Sequence, residues 1–187
     1  MALLTAGVLV FTLIHLYPAL LPASRRRLVD RLGRNAYRGL FALTILAGIV
    51  LMVIGWRSAT PEVVYAPPIT ARIVPAVLVF LGLVLFVASQ SNTNIKRYVR
   101  DPQMSGVFLW SLAHLLTNGD SRSVLLFGGL GVWAVAEKLL CNRRDGAWQK
   151  PGPFPLRSDV ITIAIAAVAF ILIWRFHGTL SGVPLAM

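Results

Sequence analysis

Six apolar stretches, most of them close to membrane-spanning length, constrain this chain more than any other feature. They cover residues 3–22, 39–56, 73–90, 103–117, 123–140 and 159–176. A helix needs about 20 apolar residues to cross about 30 Å of hydrocarbon, because each residue advances it by about 1.5 Å. With 57% hydrophobic and 13% charged residues, the chain is too apolar for an ordinary water-soluble domain. The sequence predicts an all-α, polytopic membrane helix bundle of about six transmembrane helices, forming a single domain over residues 1–187.

A membrane helix bundle also accounts for the positive charge of the chain. The net charge is +11, and the 18 Lys and Arg residues fall in short runs between the apolar stretches. That distribution favours membrane topology over nucleic-acid binding, and membrane lipid is the expected partner. No Lys or Arg precedes the first stretch, whereas Arg25, Arg26 and Arg27 follow it, which is the reverse of a cleavable signal peptide. The first segment is therefore expected to remain as a helix.

Charge also decides whether the fourth stretch, which is the shortest, crosses the membrane. If all six stretches cross, the basic clusters at 25–38, 96–100 and 138–157 share one side and hold fourteen of the 18 Lys and Arg residues. Short cytoplasmic loops collect Lys and Arg, so this arrangement is favoured over one with five crossings. It places both termini on the side opposite the clusters.

Two histidines lie deep inside predicted spans, whereas almost every other ionisable residue there lies near a span end. His15 is about seven residues, or roughly 11 Å, from the inner end of the first helix, and His114 is about eleven residues, or roughly 17 Å, from the inner start of the fourth. An imidazole in hydrocarbon needs a hydrogen-bond partner or a metal. Helix tilt absorbs the depth difference, so this pair could ligate one haem iron from opposite faces. For each histidine the alternative is a bond to a backbone carbonyl or to a Ser of a neighbouring helix. His177, just past the last span, is expected to be solvated or interfacial.

A sequence block around the fourth stretch carries a family resemblance. It reads Asp101-Pro102-Gln103-Met104-x-Gly106 and then Trp110-x-Leu112-Ala113-His114-Leu115-Leu116-x-Asn118-Gly119. Further support comes from His15 and from the basic loop Arg27-x-x-Asp30-x-x-Gly33-x-x-x-Tyr37-Arg38. Together these residues resemble the NnrU family of bacterial membrane proteins, which includes plant 15-cis-zeta-carotene isomerase.

The resemblance implies a haem b site in the carotene-isomerase branch, with axial histidines that match His15 and His114. The haem propionates are expected near the cytoplasmic rim, where Arg26, Arg27, Arg97 or Arg100 could pair with them, although arginine at this rim also meets lipid phosphate. Bacterial members are named from an association with nitric oxide and nitrite reduction, which implies a bacterial inner membrane. Together with the charge pattern, this leads us to expect both termini to be periplasmic.

Two positions depart from the plant pattern. Ser111 replaces a cysteine that the resemblance links to a redox-dependent ligand change, and Asp101-Pro102 replaces His-Pro. A serine hydroxyl is a poor iron ligand at neutral pH and bonds a helix carbonyl more readily. We therefore expect no cysteine-based ligand change in this chain, so that any switching depends on release of a histidine.

Three functions compete at this stage. The first is a haem b-binding membrane protein acting in redox sensing, electron transfer or nitrogen-oxide metabolism. The second is a haem-dependent carotenoid cis-trans isomerase, which would bind a hydrophobic polyene in an apolar cavity lined by Phe11, Phe108 and Trp110. The third is a structural or assembly factor without a cofactor, whose histidines bond between helices.

The charge pattern predicts that residues 25–38, 96–100 and 143–157 all face the cytoplasm. Single cysteines at Ser24, Asn94 and Asn142, in a variant lacking Cys141, test this with a thiol reagent that does not cross membranes. We expect no labelling in intact cells and full labelling after permeabilisation. Labelling of any one site from outside contradicts the six-span topology.

Overall fold

The computed structural model describes residues 1–67 and 73–183. In these ranges the chain forms seven helices and no β-strand: α1 (Ala2–Leu20), α2 (Pro22–Leu32), α3 (Arg34–Ser58), α4 (Ile73–Gln90), α5 (Pro102–Leu115), α6 (Ser121–Asp145) and α7 (Leu156–Ser181). A single 3₁₀ turn, Asn94–Arg97, lies between α4 and α5. The prediction of an all-α helix bundle is confirmed.

Among the described residues, five helices are long and apolar enough to span a membrane: α1, α3, α4, α6 and α7. Their outer faces carry large exposed apolar side chains, such as Leu43 at 64%, Val132 at 72% and Ile171 at 63% exposure. Such faces are stable in lipid and not in water. The chain is therefore an integral membrane protein. The remaining predicted span, α5, has 14 residues and a length of about 21 Å, so its crossing of the bilayer stays a prediction.

The basic run 25–38, which the sequence suggests is a loop, is helical. Pro22 occupies the first turn of α2, where its missing N–H costs nothing. Gly33 separates α2 from α3 with φ of +81°, a value that L side chains rarely adopt. No residue of α2 is buried. This helix therefore presents its arginines outward.

Contacts divide the chain into two compact units. The first unit, Met1–Ala66 with Asn118–Gly146, contains α1, α2, α3 and α6. The second unit, Pro67–Thr117 with Ala147–Met187, contains α4, α5 and α7. The prediction of a single domain over residues 1–187 stays a prediction.

Glycines bring the backbones of α1 and α3 together in the first unit. A Cβ added at Gly7 would lie 2.6 Å from the Met52 nitrogen, and one added at Gly55 would overlap the Leu4 backbone. Leu4 and Met52 are buried at this contact together with Val8. In lipid, close packing of this kind replaces the hydrophobic drive that holds soluble helices together.

The start of α6 is fixed by Asp120. Its carboxylate accepts hydrogen bonds from the Arg122 and Ser123 backbone N–H groups at 3.0 and 3.1 Å, and from the Ser123 hydroxyl at 2.6 Å. Burial alone would raise the pKa of Asp120, but these bonds and the Arg122 charge outweigh it and hold the pKa below its usual value. Arg122 also lies 4.6 Å from the Trp56 ring centre. The cap thereby ties α6 to α3.

Beyond this cap, α6 contains one π-helical turn, Val124–Gly128, before its regular part. The regular part begins at Gly129, where a Cβ would lie 2.7 Å from a Val8 methyl carbon. Trp133, one turn further, is buried. The irregular turn is thus followed directly by the packing of α6 against α1.

A second glycine pair joins α4 and α5 in the second unit. A Cβ at Gly82 would lie 2.9 Å from the Gly106 carbonyl oxygen, and one at Gly106 would lie 2.6 Å from the Gly82 carbonyl oxygen. The α4 side chain of Phe80 packs edge-on against Phe170 of α7, with ring centres 5.7 Å apart. These contacts hold the three helices of the unit together.

A polar cluster fixes the proline-rich loop before α7. The Asn94 side chain donates to the Phe154 carbonyl at 2.8 Å and accepts from the Phe154 N–H at 2.9 Å. The Asp159 carboxylate accepts from the Asn94 backbone N–H, the Asn94 side chain and the Thr93 hydroxyl. The segment 147–155, in which Pro151, Pro153 and Pro155 alternate with other residues, has no helix.

The α1 and α3 contact predicts that Gly55→Ala destabilises the protein. Its new methyl group would meet the Leu4 backbone, which cannot yield as a side chain can, so we expect a loss of about 1–3 kcal/mol. Gly39→Ala, in the same helix with open space around the site, is the matched control and should be neutral or slightly stabilising. Thermal unfolding in detergent measures both. Equal melting temperatures for the two variants would contradict the close approach.

Candidate functional site

His15 lies half-buried in α1 with its ring held by the helix's own backbone. Its Nδ1 atom is 2.7 Å from the Phe11 carbonyl oxygen, four residues earlier. A carbonyl only accepts hydrogen bonds, so Nδ1 carries the proton and donates it. In the neutral imidazole the lone pair then belongs to Nε2. The helix therefore presents a ring whose outer nitrogen has the chemistry of a metal ligand.

Aromatic rings surround His15. The ring centres of Phe11, Phe41 and Trp133 lie 4.2, 6.0 and 5.0 Å from its own. Trp133 is only 4% exposed, and its indole N–H has no hydrogen-bond partner among the residues that the structure describes. A buried N–H without a partner is uncommon and calls for an explanation, such as a further group bound nearby. The surroundings of His15 are thus apolar apart from one hydrogen-bond donor, the Trp133 indole N–H.

His114 repeats this arrangement in α5. Its Nδ1 atom is 2.8 Å from the Trp110 carbonyl oxygen, again four residues earlier, and the Trp110 ring centre lies 4.8 Å from its own. The same reasoning assigns the proton to Nδ1 and the lone pair to Nε2. His15 and His114 therefore have the same tautomer, which is set in each case by a hydrogen bond to the carbonyl four residues earlier.

The structure also places His177 beside His114. Their ring centres are 6.4 Å apart with planes 24° from parallel, and His177 is half-buried with its Nδ1 atom 2.9 Å from the Val183 carbonyl oxygen. From the sequence, a solvated or interfacial residue is expected here. No local pattern could have revealed the neighbour, because the two histidines lie on different helices and meet only through tertiary packing.

Ser111 is 1% exposed. Its hydroxyl has no hydrogen-bond partner within the described part of the chain, so the expected bond to a helix carbonyl is absent there. Ala113, beside His114, is equally buried. Ser111 is thus packed inside the second unit, three residues before a histidine that is only half-buried.

The arginines expected near the propionates divide between the units. Arg26 and Arg27 are exposed on α2, in the same unit as His15. Arg97 and Arg100 are half-buried near the 3₁₀ turn, in the same unit as His114, and the Nε atom of Arg97 is buried without a partner among the described residues. Each histidine therefore shares its unit with two of the four candidate arginines.

The proposed polyene-lining residues follow the same division. Phe11 contacts His15 in the first unit, Trp110 contacts His114 in the second, and Phe108 is 41% exposed. Over residues 1–67 and 73–183, no group of three or more His, Cys, Asp or Glu side chains could hold a metal ion. A haem iron takes only two protein ligands, so this result does not bear on a two-histidine site.

The helices and these two histidines define a class: a polytopic membrane protein with imidazoles held by the backbone of its helices. The family model described as NnrU protein matches residues 3–185, which is nearly the whole chain and includes both histidines. The chain belongs to the NnrU family. No curated protein and no solved structure matches it.

The backbone bonds of His15 and His114 predict the tautomer of both rings in the protein without cofactor. Nitrogen NMR of histidine-labelled protein should show protonated Nδ1 and unprotonated Nε2 at a pH where imidazole is neutral. Loss of single signals in His15→Gln and His114→Gln assigns them. Protonated Nε2 in either ring would contradict the hydrogen bonds described above.

Proposed function

We propose that this protein is a haem b-binding integral membrane protein with His15 and His114 as axial ligands. The observation that supports this most strongly is the shared Nδ1–H bond to the carbonyl four residues earlier. Metal-ligating histidines in proteins almost always donate their second ring nitrogen to a carbonyl, carboxylate or water, which fixes the ring and raises the basicity of the ligating nitrogen. Both rings have this preparation before any metal is bound.

The surrounding residues fit the same group. Phe11 and Trp133 near His15, and Trp110 near His114, offer the apolar faces that a porphyrin requires. Arg26, Arg27, Arg97 and Arg100 supply cations for propionate carboxylates. When bound, the haem would supply an iron centre that changes oxidation state by one electron. The protein's part is to hold two neutral imidazoles in one tautomer and to exclude water from them.

This chemistry suits electron transfer, redox sensing or a step in nitrogen-oxide metabolism. The setting proposed with it is a bacterial inner membrane with both termini periplasmic, which follows from the basic clusters and the family. A carotenoid cis-trans isomerase is the second candidate. The rings of Phe11 and Trp110 beside the two histidines favour it, because a hydrophobic polyene would need such apolar walls next to the iron.

A structural or assembly factor without a cofactor is the third candidate. The backbone-carbonyl bonds of both rings are the ones that this alternative expects for a histidine inside a helix. These bonds stay within one helix, however, and do not themselves join two helices.

Absorption spectra of purified protein test the proposal. We expect a Soret band in wild type that is lost in both His15→Ala and His114→Ala, because each removes one axial ligand. His177→Ala is the matched control, since its ring lies beside His114 yet has no assigned role, and it should keep the band. Gel filtration and thermal unfolding establish that each variant is folded.

A colourless, folded wild type purified from cells supplied with haem would contradict the proposal. Loss of the band in His177→Ala with its retention in His15→Ala would show that the ligands are His114 and His177 and that the assignment of His15 is wrong.

A further inference from the structure

The corner between α2 and α3 forms an open cleft of about 160 Å³ on the first unit. Four arginines line it, together with Val29, Asp30 and Tyr37: Arg25, Arg26, Arg34 and Arg38. All four arginines are exposed, and none forms an ion pair with a carboxylate within the described residues. One carboxylate faces four guanidinium groups, so the cleft has a strong excess of positive charge. Such a site attracts an anion.

Tyr37 gives the cleft a specific donor. The Arg25 guanidinium carbon lies 5.7 Å from the Tyr37 ring centre, and the ring also stacks on Phe41 at 6.1 Å. The Tyr37 hydroxyl is shielded from water and has no hydrogen-bond partner in the described part of the chain. An unsatisfied hydroxyl of this kind is unfavourable and is relieved by an acceptor oxygen. The arginines around it are long, exposed side chains that can move to admit one.

The backbone at the start of α3 also adds positive potential to the cleft. No side chain caps the start of α3, and its first turn contains no acidic residue. The first backbone bond of the helix is donated by Tyr37 to Gly33. The earlier N–H groups of this turn therefore add positive potential beside Arg34.

The position of the cleft identifies the source of the anion. It lies between the end of α1 and the start of α3, two helices that have membrane-spanning length and composition. The short helix α2 exposes Leu28 and Leu32 beside its arginines. A helix with cations and exposed leucines at the end of a span lies at the level of the lipid headgroups.

We propose that this cleft binds the phosphate of an anionic phospholipid headgroup. Arg25, Arg34 and Arg38 pair with the phosphate oxygens, and the Tyr37 hydroxyl donates a hydrogen bond to one of them. Guanidinium groups suit phosphate because their planar N–H forks pair with two oxygens at once. This site does not depend on haem, although Arg26 would be shared if a propionate reached the same corner.

Native mass spectrometry of the full chain, prepared without haem, tests the proposal with phosphatidylglycerol and with phosphatidylcholine of the same acyl chains. We expect phosphatidylglycerol to be retained preferentially. In the Arg34→Gln, Arg38→Gln double variant, retention should fall by about tenfold or more, since two charge-assisted bonds are removed. Tyr37→Phe should reduce it by a few fold while leaving the charge and the fold unchanged.

Arg31→Gln is the matched control, because Arg31 lies on α2 beside the cleft arginines and does not line the cleft. It should retain the lipid as wild type does. An equal loss in Arg31→Gln would show that the attraction is diffuse and would overturn the site. Wild-type retention in Tyr37→Phe would remove the assigned role of the hydroxyl and overturn it as well.

Competition with inorganic phosphate distinguishes the two sources of this chemistry. The lipid's acyl chains hold it at the bilayer rim, so a moderate excess of inorganic phosphate should not displace it. Ready displacement would show a site for soluble phosphate and contradict the lipid assignment. The measurements use protein without haem, so the lipid result and the Soret result can fail independently.

Discussion

Hydrocarbon offers no hydrogen bonds, and most of this structure follows from that constraint. Every backbone N–H and carbonyl in a span must be satisfied within the protein, which is why the apolar stretches form helices. The same constraint acts on the imidazoles of His15 and His114. Each satisfies Nδ1 with a carbonyl of its own helix, and in the neutral ring the lone pair then belongs to Nε2. The need to satisfy Nδ1 in hydrocarbon thus determines which ring nitrogen of the candidate site can act as a ligand.

Packing within each unit follows from the same solvent. Lipid provides no hydrophobic force to push helices together, so the helices rely on close van der Waals contact. Gly7 and Gly55 supply it between α1 and α3, and Gly82 and Gly106 supply it between α4 and α5. The π-helical turn in α6 and the contact of Gly129 with Val8 extend the same packing. These contacts fix the helices that carry the two histidines.

Polar groups are concentrated outside the apolar spans, where they determine how segments connect. Asp120 caps α6 and draws Arg122 over Trp56. Asn94 and Asp159 fasten the proline-rich loop to the 3₁₀ turn. The arginines of α2 are different, because no carboxylate among the described residues neutralises them. Arginines of a membrane protein that no carboxylate neutralises are suited to binding an anion from outside the protein. Lipid phosphate is the anion that lies nearest to them at the membrane surface.

The sequence by itself determined the helical class, the approximate spans and the family. These features depend on hydrophobic run length and motif spacing, which are properties of neighbouring residues. It also selected His15 and His114, since histidine inside an apolar stretch is conspicuous. It missed the helical form of residues 22–32, because Leu28 and Leu32, four residues apart, are only a short apolar signal within an arginine-rich segment. Tertiary structure alone decided which glycines meet a neighbouring backbone, that His177 lies beside His114, and that Tyr37 lies among arginines, because such contacts join residues whose packing no local pattern encodes.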